Sequence, residues 1–298
     1  MIDFAMTPDQ RAFADAAAGL MRARSDGGAL DASPETWRDL AELGALALLT
    51  KDGGGDTRDL VALMGALGSE LCPGPVIATA AAASLLTEEE IGRLASGLLR
   101  VTVTVGGHIP WPDAADIVLE VDGDAVWRVE WDRAEALDAT ISGEPWVRAT
   151  TRRLERAPDG TGFIVAAELG LAAALLGMAR VLLDRGAAHA RTRVQFGRPI
   201  GAFQGVAHPL ADSWAEITAA DELARLVATE AAVGSPDTAR SRLARGQAAG
   251  AALRTAYVVH QAMGGMSFAT ESGIATISTR IRQWSLLLPD SMPAAVGR

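Results

Sequence analysis

The chain has 298 residues, 49% of them hydrophobic and 21% charged, which is enough to bury a large core and excludes both intrinsic disorder and a small cross-linked fold. A net charge of −10 excludes nucleic acid as the main partner, because phosphate binding needs a cationic face, and the single cysteine, Cys72, excludes an internal disulfide or a cysteine metal cluster and points to a cytoplasmic setting. The longest uncharged apolar runs, such as Leu169 to Ala179, fall short of the roughly 20 residues of a membrane span, and the N-terminus (MIDFAMTPDQRAF) lacks a basic region followed by an apolar block, so neither membrane insertion nor export is expected.

The first segment, residues 1–99, reads as a helical domain. Thr7 followed by Asp9 and Gln10 signals a helix start, and Phe13, Ala17, Leu20 and Met21 recur at helical spacing. Ser33-Pro34-Glu35 opens a second helix with an apolar stripe of Trp37, Leu40, Ala41 and Leu43, ended by Gly44. Gly53-Gly54-Gly55 reads as a flexible turn. A third helix runs from Leu60 to Leu71 and stops at Pro73-Gly74-Pro75, and Ile77 to Leu86 and Glu89 to Leu98 read as two more.

Residues 100–160 change pattern. Val101 to Val105, Ile117 to Val121 and Ala125 to Val129 alternate and are rich in β-branched residues, with Asp122-Gly123 as the hairpin turn, so this stretch is a small, reduced β middle domain. From residue 161 to 298 the chain is helical again, in longer pieces: Val165 to Thr192, Phe203 to Val233, Pro236 to Met263 and Glu271 to Leu288, separated by short Gly- or Pro-containing connections. Four long amphipathic helices form a bundle. The fold class is therefore mainly α, with an N-terminal helical domain, a small β middle domain and a C-terminal four-helix bundle.

Charge is divided unevenly: residues 1–150 carry 11 basic and 25 acidic side chains, and residues 151–298 carry 16 basic and 12 acidic, so the second half is the one suited to an anion. Two junctions in that half carry chemistry. Arg193-Val-Gln195-Phe196-Gly197-Arg198-Pro199-Ile200-Gly201-Ala202-Phe203-Gln204 joins two long helices and offers a forked donor and an amide beside a glycine that lets backbone approach a ligand, which suits a pyrophosphate; alone it reads equally as a helix cap with a solvated arginine. His260-Gln261-Ala262-Met263-Gly264-Gly265-Met266-Ser267-Phe268 ends a helix in paired glycines, alone an ordinary cap. The four histidines, His108, His189, His208 and His260, show no metal-ligand spacing.

Together, in this order, the two segments resemble the acyl-CoA dehydrogenase family: Arg193 to Gln204 is similar to its R-x-Q-F-G-x-P-I-x-x-F-Q element and Gln261 to Phe268 to its Q-x-x-G-G-x-x-F element. The likeness extends to Trp37 to Gly44, Gly53 to Asp56, and Leu67 to Leu71 before Pro73-Gly74-Pro75. The resemblance implies FAD held across a subunit interface, with Arg193 on the pyrophosphate, Gln195, Phe196, Phe203 and Gln204 lining the adenosine side, and Gln261, Gly264 and Gly265 approaching the same dinucleotide from the next junction.

The chemistry implied by the family, desaturation of an acyl thioester, needs a carboxylate to remove the α-proton and a flavin N5 to accept the β-hydride. In much of the family the base is a glutamate in a Tyr-Glu-Gly-Thr-like stretch after the last long helix; counting from Arg280 puts Pro289 there, with Asp290 one place away. Where the base sits on the first bundle helix instead, the counted position is Ala167, and its neighbour Glu168 is turned away by about 100°. The Thr-Glu-Pro-x-x-Gly-Ser-like and Trp-Ile-Thr-like strands that cradle the flavin ring are not found between residues 100 and 160, and Trp111 to Val118 resembles only the later half of that sheet.

The sequence thus resembles the truncated subunit of a heteromeric, α2β2 acyl-CoA dehydrogenase of the steroid side-chain type. It gives the adenosine-diphosphate contacts to FAD, while a second, full-length dehydrogenase-like subunit supplies the flavin sheet, the base and most of the acyl-CoA pocket. On this reading the chain holds no catalytic residue and no metal. Two alternatives stay open: a self-sufficient homo-oligomeric dehydrogenase with Asp290 or Glu168 as base, and a flavin-free helical interaction protein.

Overall fold

The computed structural model describes residues 5–24, 32–136 and 140–288. Helix α1 (Pro8–Arg24) starts at a reciprocal cap, in which the backbone N–H of Gln10 donates to Thr7 Oγ1 (3.2 Å) and that of Thr7 to Gln10 Oε1 (3.0 Å). α2 (Pro34–Glu42) is capped by Ser33, and α3 (Thr57–Ser69) by Asp56 with Asp59. The predicted helix from Ile77 to Leu86 is a short α4 (Val76–Ala81) that tightens into a 3₁₀ turn, Ala82–Leu85. α5 (Glu88–Ala95) opens on a Thr87/Glu90 box, and Glu90 also pairs with Arg128 (2.7 Å), fastening this helix to the sheet. The Gly53 turn is tight rather than loose, since a Cβ there would stand 2.0 Å from the carbonyl oxygen of Ala47.

The sheet has five strands, β1 (Val101–Thr104), β2 (His108–Pro110), β3 (Ile117–Asp122), β4 (Ala125–Ala136) and β5 (Trp146–Arg156), in the order β1-β3-β4-β5-β2, with β1 parallel to β3 and the other pairs antiparallel. The sequence pattern misses β2 and β5 and ends β4 early. From Arg152 onward β5 is exposed on both faces, so its residues do not alternate; Arg153 instead pairs across the sheet with Glu120 (2.6 Å) and Asp122 (2.7 Å), and Arg152 with Glu130.

Four helices complete the chain: α6 (Thr161–Thr192), α7 (Gln204–Ala232), α8 (Thr238–Met263) and α9 (Ile274–Trp284). The last is shorter than predicted, because Glu271 lies in a 3₁₀ turn that Gly273 (φ 63°) ends. Before it, between α6 and α7, a two-residue-per-strand hairpin pairs β6 (Val194–Gln195) with β7 (Arg198–Pro199). The architecture is mainly α, with a small sheet and a C-terminal helical bundle, as the sequence implies.

α6 is the axis of the molecule. By length and composition it could cross a membrane, contrary to the expectation from uncharged runs, yet 94% of its most apolar stretch is buried here by the rest of the chain. It meets α3 backbone to backbone: a Cβ on Gly68 would lie 2.3 Å from Ala174 O, and one on Gly177 would lie 2.1 Å from Gly65 O. One apolar core therefore runs from α1 through α3 and α6 to α9, from Ala17 to Leu288. A second, small cluster of Ile109, Val118, Val129, Val147 and Ala149 lies within the sheet.

Gly177→Ala forces two backbones apart and is expected to lower unfolding free energy by roughly 3 kcal/mol. Gly92→Ala, on the exposed face of α5 with nothing near the added methyl, is expected to raise it by about 0.5–1 kcal/mol. Urea titration of both variants checks the contrast, and a near-neutral Gly177→Ala contradicts the packing described.

Candidate functional site

The bundle runs up and down, so the α6–α7 junction and the C-terminus of α8 share one end. Packing agrees: a Cβ on Gly186 of α6 would meet Val259 of α8 at 2.8 Å and Leu210 of α7 at 3.5 Å, and Arg185 Nη1 donates to Ser272 O (2.9 Å) just beyond α8.

At the first junction Arg193 ends α6, its N–H bonded to His189 O (2.8 Å), and its carbonyl accepts from Ile200 N (2.8 Å), closing the base of the hairpin. Phe196 and Gly197 form the turn, both with positive φ (51° and 77°), which matches the twist of a two-residue hairpin. Phenylalanine rarely adopts that conformation, and its side chain is 93% exposed, so the chain bears a strained backbone of about 1–3 kcal/mol to display an aromatic ring at the tip. Phe203 meets Phe196 edge to face (6.1 Å), and the Arg198 guanidinium lies 4.1 Å over the Phe203 ring. Arg198 received no role from the sequence; its only signal was its place inside the motif. The side chains of Arg193, Gln195 and Gln204 are exposed and make no hydrogen bond or ion pair among the described residues.

At the second junction Gln261, Gly264 and Gly265 are likewise exposed. Gly264 (φ 58°, ψ −141°) needs to be glycine for its backbone. Gly265 does not: its φ is ordinary and an added Cβ would meet nothing within 4 Å, so nothing inside the chain accounts for its missing side chain. The site-facing residues from both motifs are thus brought to one end of the bundle, with unused donors, two aromatic rings and open backbone.

The cleft between sheet and bundle is narrow and apolar. Thr102, Val103, Pro110 and Trp111 from the sheet side, Ala167 and Leu171 of α6, and Trp284, Leu287 and Leu288 line a small, partly open apolar pocket of about 30 Å³. Trp284 is held across it by Glu144, a buried carboxylate in the β4–β5 loop that accepts from the Trp284 indole N–H (3.0 Å) and pairs with Arg280 (3.2 Å). Burial pushes the Glu144 carboxyl above the usual range, and it pushes the Cys72 thiol up to about 12, so Cys72 is no nucleophile near neutrality. The sequence offered no sign of Glu144, which lies in a loop with no pattern.

Of the residues weighed as a base, Pro289 and Asp290 lie outside the described residues. Glu168 is 3% exposed and faces α8, where Arg245, also 3% exposed, stands 2.5 Å away and Arg242 Nε 3.9 Å away; Arg242 in turn bonds Asp124 Oδ1 (2.8 Å) in the β3–β4 turn. Glu168 therefore joins α6 to α8; a buried pair of this kind is costly to break. Glu168→Ala is expected to lower stability by about 3–5 kcal/mol, against under about 1 kcal/mol for Glu216→Ala at the exposed pair with Arg254. Thermal denaturation checks both, and an unaltered Glu168→Ala protein contradicts the assignment.

Comparison with known proteins identifies the family. Residues 164–286 match the acyl-CoA dehydrogenase, C-terminal domain family. The acyl-CoA dehydrogenase IpdE2 of Mycolicibacterium smegmatis is 30% identical over 258 residues, covering 81% of this chain and 79% of that protein. Two solved structures share the fold: the Tcur3481-Tcur3483 steroid ACAD G363A variant (TM-score 0.77, 22% identity, 93% of this chain and 92% of the other) and the ChsE4-ChsE5 complex from Mycobacterium tuberculosis (TM-score 0.75, 21% identity, 96% and 95%). The chain belongs to the acyl-CoA dehydrogenase family.

Proposed function

We propose that this chain is one subunit of a heteromeric, FAD-dependent acyl-CoA dehydrogenase, an oxidoreductase acting on the CH–CH bond of a CoA thioester, in which it grips the adenosine diphosphate of a cofactor whose ring lies in the partner. One observation carries this reading: the donors of Arg193, Gln195 and Gln204 at the bundle end are exposed and unused among the described residues, whereas the cleft between sheet and bundle is narrow and apolar.

The residues fit half of the cofactor. Arg193, Gln195, Gln204 and Gln261 would donate to the pyrophosphate and adenosine, Phe196 and Phe203 offer ring faces, and Gly264 and Gly265 let backbone come close. The excess of basic residues in the second half of the chain favours an anion there. The narrow apolar cleft is too small for a three-ring isoalloxazine. When bound, FAD supplies the hydride acceptor for α,β-desaturation. The chain's own part is to bind and orient the dinucleotide tail, while a second, full-length dehydrogenase-like subunit supplies the sheet, the base and most of the acyl-CoA pocket. The α2β2 assembly, and a steroid side chain as the acyl group, draw support from the two-component titles of the similar folds, one of which names a steroid ACAD. The lone cysteine favours the cytoplasm.

The test is a visible spectrum. Co-expressed and purified with a full-length dehydrogenase subunit, the complex is expected to show the flavin band near about 450 nm and to lose it in Arg193→Ala, while this chain alone is colourless. A yellow chain that alone reduces an electron acceptor with acyl-CoA favours the self-sufficient enzyme. A complex whose flavin content ignores Arg193→Ala and Gln261→Ala favours the flavin-free interaction protein. Either result overturns the proposal.

A further inference from the structure

We infer that His260 is the positioning residue for the dinucleotide-facing turn at the end of α8, an assignment that rests on reading Gln261, Gly264 and Gly265 as contacts to FAD. The imidazole joins three pieces of chain. Nδ1 stands 2.7 Å from Ser267 Oγ in the turn, Nε2 stands 2.9 Å from Ser278 Oγ on α9, and the ring stacks on Phe268 with centroids 4.9 Å apart and planes at 29°. Ser267 is fully buried and Ser278 is 6% exposed, although the turn they support is open to solvent.

The direction of each bond follows from the donors. Each serine hydroxyl also has a backbone carbonyl in reach, Gly264 O for Ser267 (2.7 Å) and Ala275 O for Ser278 (3.1 Å); the shorter bond keeps the Ser267 proton on Gly264 O, so Ser267 accepts from His260 Nδ1–H and Ser278 is the hydroxyl that turns to the ring. Nε2 is then the acceptor for the Ser278 hydroxyl. Partial burial lowers the His260 pKa, which favours this neutral tautomer. The relay from His260 through Ser267 ends on the carbonyl of the glycine with the unusual backbone, Gly264. A trans peptide sends its C=O and N–H in opposite directions, so holding Gly264 O toward Ser267 turns the N–H of Gly265 away from it. His260 acts through Ser267, holding the turn that is read as the cofactor contact.

Substitutions in the assembled complex separate this role from general stability. An asparagine amide reproduces the Nδ1–H donor and reaches Ser267 but not Ser278. His260→Ala and Ser267→Ala are each expected to weaken FAD binding about tenfold, the worth of one hydrogen bond near the upper end of its range. His260→Asn and Ser278→Ala should stay within about threefold. Amide hydrogen exchange at Gly264 to Phe268 should rise in His260→Ala and be restored in His260→Asn. Equal loss in His260→Ala and His260→Asn, or unchanged affinity in His260→Ala while Gln261→Ala lowers it, overturns the positioning role. If Gln261→Ala and Arg193→Ala leave FAD binding intact, the cofactor reading itself fails, and the exchange data still decide whether His260 orders the turn.

Discussion

The contact on which the molecule depends is the one between α3 and α6, where glycines bring two helix backbones together. Gly68 and Gly177 leave no space for a methyl group, so α6 cannot slide or rotate against α3, and its position fixes the bundle around it. α6 then serves three purposes along one axis. Its start packs against α4 and the 3₁₀ turn that follows, its middle carries the Glu168 pair to α8, and its end projects the hairpin with Arg193 and Phe196.

From that rigid axis comes an asymmetry between the two places where a flavin cofactor could be held. At the end of the bundle, polar side chains are exposed without partners, a phenylalanine is displayed at a strained turn, and Gly265 has no internal reason to be glycine. Between sheet and bundle, the space is narrowed by the apolar side chains of Trp111, Trp284, Leu287 and Leu288. Glu144 is central to that narrowing, because the same carboxylate holds Trp284 and meets Arg280, which also bonds Leu71 O (2.5 Å) after α3. The sheet, the bundle and the N-terminal helices are pinned at one buried point.

Much of this was legible in the sequence, for physical reasons that vary by element. The long helices follow from apolar periodicity, and the first two caps from Thr7 and Ser33. Strands β1 and β3 follow from their β-branched residues, although β1 is buried on both faces. β5 was missed because its second half is solvated on both faces and stabilised by cross-strand arginine pairs, which leave no period. The motif residues were legible as a set only through family resemblance, since taken alone each junction is a helix cap. His260 stood in plain view beside Gln261, yet its partners Ser267 and Ser278 are separated from it by 7 and 18 positions, and no local pattern links them. Glu168 looked like a neighbour of a catalytic position; only its partner on α8, far along the chain, reveals it as part of the core.

The most direct measurement is a structure of the assembled complex with FAD bound, read for which polypeptide surrounds each half of the cofactor. The account predicts a pyrophosphate within hydrogen-bond reach of Arg193 and Gln261, and an isoalloxazine ring enclosed by the partner chain. A ring seated wholly within copies of this chain would contradict it.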